Sequence, residues 1–204
     1  MKKFVFVLLL LVAPFFGQAS HIVGGEFELV HVAGSVYRLN LILYFDLHNG
    51  SPGARDPAAD VRIFRKRDNL VMKEINLPNI SETSVLYTAL ECTIAELETS
   101  KLLYSVLIEL SADDFNDPLG YYVAWERCCR NYGINNIYSE ITSFPDGTPN
   151  PLAKYAGQTF YLEFPAVVKN GEPFIDSTPK LFPPLSDYGC VNKPYYVDFA
   201  GSDD

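Results

Sequence analysis

Apolar and polar residues alternate with a period of two along most of this chain, the signature of half-buried β-strands. Ser35 to Asp46 alternates around Val36 and Leu39 and runs into the apolar block Leu41–Tyr44. Val61–Arg67 and Leu70–Ile75 read as a hairpin around Asp68-Asn69. Lys101 to Leu110, Gly120 to Arg130 and Gln158 to Phe164 complete the strong strands. Turn-forming residues separate them: Ala33-Gly34-Ser35, the stretch from His48 to Gly53, and Asn116 to Gly120. Only Thr93 to Thr99 offers a short helical turn. Strands at this turn-bounded spacing predict an all-β, Ig-like antiparallel sandwich over residues 20–165.

Composition changes after Phe164. Pro165, Pro173, Pro179, Pro183 and Pro184 cluster there, and proline cannot donate to a sheet ladder. Residues 166–190 therefore read as an extended linker. Lys193 to Ala200 alternates again, so residues 191–204 are expected to be the first strand of a truncated second β domain, because one strand cannot stand alone.

At the other end, residues 1–19 read as a secretory signal. Lys2 and Lys3 precede an apolar run from Phe4 to Phe16, too short for a membrane-spanning helix, and small residues Gly17 and Ala19 suit cleavage after Ala19. The segment from His21 to Glu26 then becomes a free apolar terminus, most simply tied down as an edge strand. Without Lys2 and Lys3 the chain holds 14 Lys+Arg against 25 Asp+Glu, a formal net of −11. That balance excludes a nucleic-acid partner, whose phosphates demand a basic face. No second apolar run is long enough to cross a membrane. An exported, extracellular or periplasmic location is the expectation.

Four cysteines, Cys92, Cys128, Cys129 and Cys190, suit two disulfides in an exported chain. A zinc site competes poorly, lacking a Cys-x-x-Cys pair and a nearby His. Adjacent cysteines rarely bond to each other, so Cys128 and Cys129 are expected to take separate partners. In a strand, Tyr121, Val123, Trp125, Arg127 and Cys129 share one face, and Tyr122, Ala124, Glu126 and Cys128 the other. Trp125, the only tryptophan, marks the first face as the core side. The expected links are thus Cys129–Cys92 inside the sandwich and Cys128–Cys190 outside it.

Ile22-Val23-Gly24-Gly25 matches the activated N-terminus of trypsin-like proteases. The three histidines His21, His31 and His48 lack that family's context, however, and no Gly-Asp-Ser-Gly-Gly stretch exists. The segments SHIVGGEFELV, YRLNLILYFDLHNG, GYYVAWERCCRNYGINNI, PFIDSTPKLFPP and CVNKPYYVDFAGSDD, in that order, instead resemble the N-terminal region of large gliding-motility-associated, type IX-secreted surface proteins of Bacteroidota. Arg127-Cys128-Cys129-Arg130-Asn131 is the most specific part. The resemblance implies a cell-surface module whose last strand continues into a cadherin-like repeat. This chain departs from the family pattern at Asp46-Leu47, where the family has Asp-Cys; with its last residues at Asp203-Asp204 it is expected to be either a fragment of a longer protein or a short member without the usual C-terminal sorting domain.

Candidate chemistry is sparse. Asp113, Asp114 and Asp117 place three carboxylates in one loop, and Asp203-Asp204 resembles the start of a cadherin-type calcium motif. These five are the candidate calcium ligands, with a solvated turn as the plainer reading of the loop. No other cofactor is expected. Glu126 beside Trp125 would suit a glycosidase only with a second carboxylate about 5–10 Å away. It reads more simply as salt-bridged to Arg127 or Arg130. Arg62, Arg65, Lys66 and Arg67 read as a solvated sheet edge. The expectation is a non-enzymatic surface structural or adhesion module whose partners are other surface proteins or polysaccharide. The rival is a carbohydrate-binding accessory domain of a carbohydrate-active enzyme.

Overall fold

A computed structural model describes residues 22–48, 50, 52–87, 90–92, 98–127, 158–181, 190–196 and 201–203. Seven antiparallel strands build the body: β1 Ile22–Ala33, β2 Val36–Asp46, β3 Ala58–Arg65, β4 Leu70–Ser84, β5 Thr99–Glu109, β6 Tyr121–Arg127 and β7 Gln158–Phe164. Their neighbour order is β1-β2-β5-β4-β3-β6-β7. That is the A-B-E-D and C-F-G order of an immunoglobulin-type sandwich. β4 belongs to both sheets. Its first half, to Pro78, pairs with β3, and its second half, from Asn79, pairs with β5. The register shifts between Asn79 and Ser81, a bulge that lets one long strand bend from one layer to the other. Pro78 is tolerated at that corner, where the Asn79 N–H turns to Pro57 O at 2.9 Å.

The period of two becomes the core. Tyr37, Leu39, Leu41, Leu43 and Phe45 of β2 face inward with Val61 and Ile63 of β3, Ile75 and Leu77 of β4, and Leu102, Tyr104 and Ile108 of β5. Tyr121 and Val123 of β6 and Phe160 and Phe164 of β7 join them from the layer that also holds β3. Each fully buried side chain of this size contributes about 1.5–3 kcal/mol relative to exposure. Trp125 is half-buried on the same face, 5.6 Å from Phe160. The Val61–Ile75 hairpin turns through Asn69, whose φ of 58° an Asn tolerates.

A tyrosine corner fixes the start of β6. Tyr121 Oη donates to Asp114 O at 3.1 Å and accepts the Asp117 N–H at 2.9 Å. This bond back to the preceding loop is the device used at the E–F corner of immunoglobulin sandwiches. Gly120, with φ 78°, must be glycine: a Cβ there would lie 2.7 Å from Phe164 O.

The Pro-rich tail lies against the body. After Phe164 the short hairpin β8 Val168–Lys169 and β9 Glu172–Pro173 forms, with the Val167 N–H on Phe115 O at 2.9 Å. Ser177 and Thr178 then dock on the outer edge of β1. Next, β10 Lys180–Leu181 pairs with β11 Gly201–Ser202. The expected strand from Lys193 differs: Lys193–Tyr196 is not strand, and 197–200 lie outside the described residues. Leu90–Cys92 forms a 3-10 turn just before the predicted helical turn. Residues 93–97 and the signal-like segment 1–19 are also outside the described residues.

Candidate functional site

The sulfurs depart from the expected pairing. Cys92 is bonded to Cys190, with their Cα atoms 5.1 Å apart. This overturns both the Cys129–Cys92 and the Cys128–Cys190 assignments, since each used one member of the observed pair. The bond joins the β4–β5 connection to the tail, a partnership that strand-face logic at residues 128–129 could not anticipate. Cys128 and Cys129 themselves lie outside the described residues. Glu91 sits close enough to both sulfurs to complete a three-ligand cluster, the one such cluster among the described residues, but disulfide sulfurs do not titrate or bind zinc as thiolates do.

The acidic loop serves as a structural corner. Asp117 is 5% exposed, and its carboxylate accepts from Arg67 at 2.9 Å and from the Leu119 N–H at 3.0 Å, with Arg65 at 3.9 Å. Asp114 accepts from Ser111 Oγ at 2.7 Å. Asp113 is exposed. Asp117 therefore spends its charge on arginine and a turn. Asp203 is exposed beside β11, and Asp204 lies outside the described residues.

The basic stretch is not a sheet edge. β3 lies between β4 and β6, and each of the four cations from Arg62 to Arg67 has a named acid: Arg62 on Glu74, Arg65 on Asp68, Lys66 on Glu163, Arg67 on Asp117. The Asp68 carboxyl is held below the usual range, first by its hydrogen bond from Arg65. Arg127 likewise pairs with Asp56 and stands over Trp125, not with Glu126. The pleat puts Glu126 on the opposite, exposed face, opposite Thr159.

On that solvent face three rings cross three strands. Phe64 and Tyr122 stack at 4.9 Å and 15°, and Tyr122 meets Tyr161 at 5.1 Å and 32°. Of the three, Tyr161 is exposed and Phe64 and Tyr122 are half-buried. Tyr161 Oη donates to Glu163 at 2.5 Å. That bond to a carboxylate, ahead of burial, pushes the phenol up to about 12, while Lys66 holds Glu163 low.

The remaining feature is a cleft of about 340 Å³ where the edges of β1 and β7 face each other, lined by Gly24–Phe27 and Gln158–Tyr161. Glu26 stands on its rim. Burial first, then the neighbouring Glu28, raises its carboxyl above 4.5, against the pull of Lys101. Gln158 is 6% exposed and its Nε2 is buried with no hydrogen-bond partner. The predicted strand Gln158–Phe164 coincides with β7, but nothing in the sequence marks β1 as the neighbour across the gap. The outer ladder Glu28–Asn40–Ser105 flanks it, with Asn40 Nδ2 on Glu28 at 3.0 Å and Ser105 Oγ on Asn40 at 2.7 Å. Among the described residues no helix is long and apolar enough to cross a membrane. The chain matches no family model, no curated protein and no solved structure.

Proposed function

We propose that this protein is an exported, non-catalytic surface module that holds its shape outside the cell and adheres to a neighbouring surface protein or polysaccharide. The observation that carries the reading is the Cys92–Cys190 bond, which locks the tail to an immunoglobulin-type sandwich. Such bonds persist in oxidising compartments and are rare in reducing ones. The signal-like residues 1–19 and the resemblance to gliding-motility-associated surface proteins agree with it. The tail's coverage of the β1 edge also fits a module built to avoid unwanted strand pairing.

Impermeant biotinylation of intact cells expressing the full chain tests this. Labelling at the cell surface, with Cys92–Cys190 recovered as an oxidised peptide pair, is the expected result. Confinement to the cytoplasm with both thiols reduced would overturn it. Release of reducing sugar from a glycan panel, abolished by Glu126→Gln, would replace it with an enzymatic reading.

A further inference from the structure

We propose that the cleft between β1 and β7 binds a neutral saccharide unit, through the Gln158 amide on its floor, the Glu26 carboxylate on its rim and the aromatic side chains Phe27, Phe160 and Tyr161 around it. This names a ligand class for the adhesive reading above and rests on it.

The argument begins with Gln158. A buried amide donor with no partner is costly, and native interiors rarely tolerate one without a reason. Here the residue lines an opening to solvent of the size that holds small ligands. The nitrogen itself is closed to water as it stands, so a ligand oxygen would satisfy it once the side chain turns toward the opening. Glu26 offers only acceptors when ionised, so the same ligand must also donate. Phe27 and Phe160 line the cleft from the hydrophobic core and Tyr161 lines it half-exposed. Hydroxyl groups both donate and accept, and a pyranose carries them around an apolar face that stacks on aromatic rings. An anionic sugar or phosphate would meet Glu26 and Glu28 at like charge.

Backbone geometry sets the length of the site. The Leu29 N–H and C=O turn outward, to Thr178. Alternation turns those of Gly25 and Phe27 the same way, toward β7. On β7, Gly120 O accepts from the Lys66 N–H and so faces β3. Tyr121 then faces β7, which leaves Thr159 and Tyr161 turned away from β6 and toward the cleft. Beyond Phe27 the tail already occupies the β1 edge, through Ser177 and Thr178. Four residues a side remain, roughly 13 Å at strand rise. That length suits one or two sugar rings.

The test is amide-resolved NMR of the full chain titrated with millimolar cellobiose, maltose and chitobiose, and with an extended strand-forming peptide. At least one disaccharide is expected to shift Gly25, Phe27, Thr159 and Tyr161. Gln158→Leu is expected to weaken that binding by about tenfold or more while the melting temperature holds or rises, because the unsatisfied donor is gone. Glu26→Gln should weaken it less. If no disaccharide shifts the cleft, or if only the peptide does, the proposal is overturned. It is equally overturned if Gln158→Leu lowers the melting temperature and binds sugar as before. Since binding is read in solution, failure here is separable from failure of surface display.

Discussion

The Thr178 N–H donates to the Leu29 carbonyl at 2.8 Å, and the Leu29 N–H returns to Thr178 Oγ1 at 2.9 Å, across a separation of 149 residues. A Pro-rich segment, unable to join a sheet along its length, still closes part of an open strand edge with Thr178 and its neighbour Ser177. The hydroxyl stands in for a second backbone group.

Thr178→Val keeps the shape and removes the hydroxyl. It is expected to cost about 0.5–1.5 kcal/mol in urea unfolding and to speed hydrogen exchange at the Leu29 amide. Unchanged exchange there would mean that the tail does not hold β1.

The disulfide fastens the same tail further along. It closes a loop with a sequence separation of 98, and links of that span stabilise by constraining the unfolded chain. Cys190→Ser is expected to lower stability by about 2–5 kcal/mol. Non-reducing peptide mapping should recover Cys92 joined to Cys190. A map joining Cys92 to Cys129 would contradict the structure.

The strands were legible because burial on one face writes a period of two. Predicted Gln158–Phe164 coincides with β7, and Ser35–Asp46 begins one residue before β2. β4 was read only to Ile75, because Pro78 looks like a stop until a sheet-crossing bulge makes room for it. The basic hairpin was misplaced to an edge, since a strand's neighbours are set by pairing between distant segments. Local sequence records which residues point inward but not which strand lies alongside. The cleft depends on that second kind of information, and so does the disulfide partner of Cys92.

Asp117 joins the hairpin to the β5–β6 corner. Its backbone N–H binds Tyr121 Oη and its carboxylate binds Arg67 and the Leu119 N–H. Asp117→Ala removes the acceptor of a turn and is expected to cost about 1–3 kcal/mol. Much of Arg67 is exposed, so its freed charge can rehydrate. Because that carboxylate is committed to arginine, millimolar calcium is expected to leave the melting temperature unchanged. A clear calcium-dependent rise, lost in Asp117→Ala, would return the loop to metal binding.

Two phenols are shifted furthest and should ionise latest. Tyr44 is pushed up to about 12, by burial first and then by Glu26 and Glu28, and Tyr161 to about 12 by its bond to Glu163. A phenol raised in the fold keeps its proton after the unfolded chain has lost it. Stability therefore falls as pH rises from about 10 toward 12. Phenolate absorbance should show a late fraction that moves to ordinary values on unfolding, and Tyr161→Phe should remove part of it.

Glu26 gives the opposite end of the pH scale, and the sign can be worked out. Its folded carboxyl titrates above 4.5, chiefly because the cleft rim buries it. The folded protein thus binds this proton more tightly than the unfolded chain does. That contribution is fully present below 4.5 and is lost as pH rises through the folded value, where Glu26 ionises at a cost. At pH 7 the charged group opposes folding, by an amount that solvent at the cleft mouth screens to less than about 1 kcal/mol. Glu26→Gln is expected to be slightly more stable than the native chain at pH 7 and to lose that advantage in acid. Urea unfolding of both proteins at the two pH values measures it. A Gln variant less stable at neutral pH would show that the carboxylate is a structural partner, not a strained group kept for a ligand.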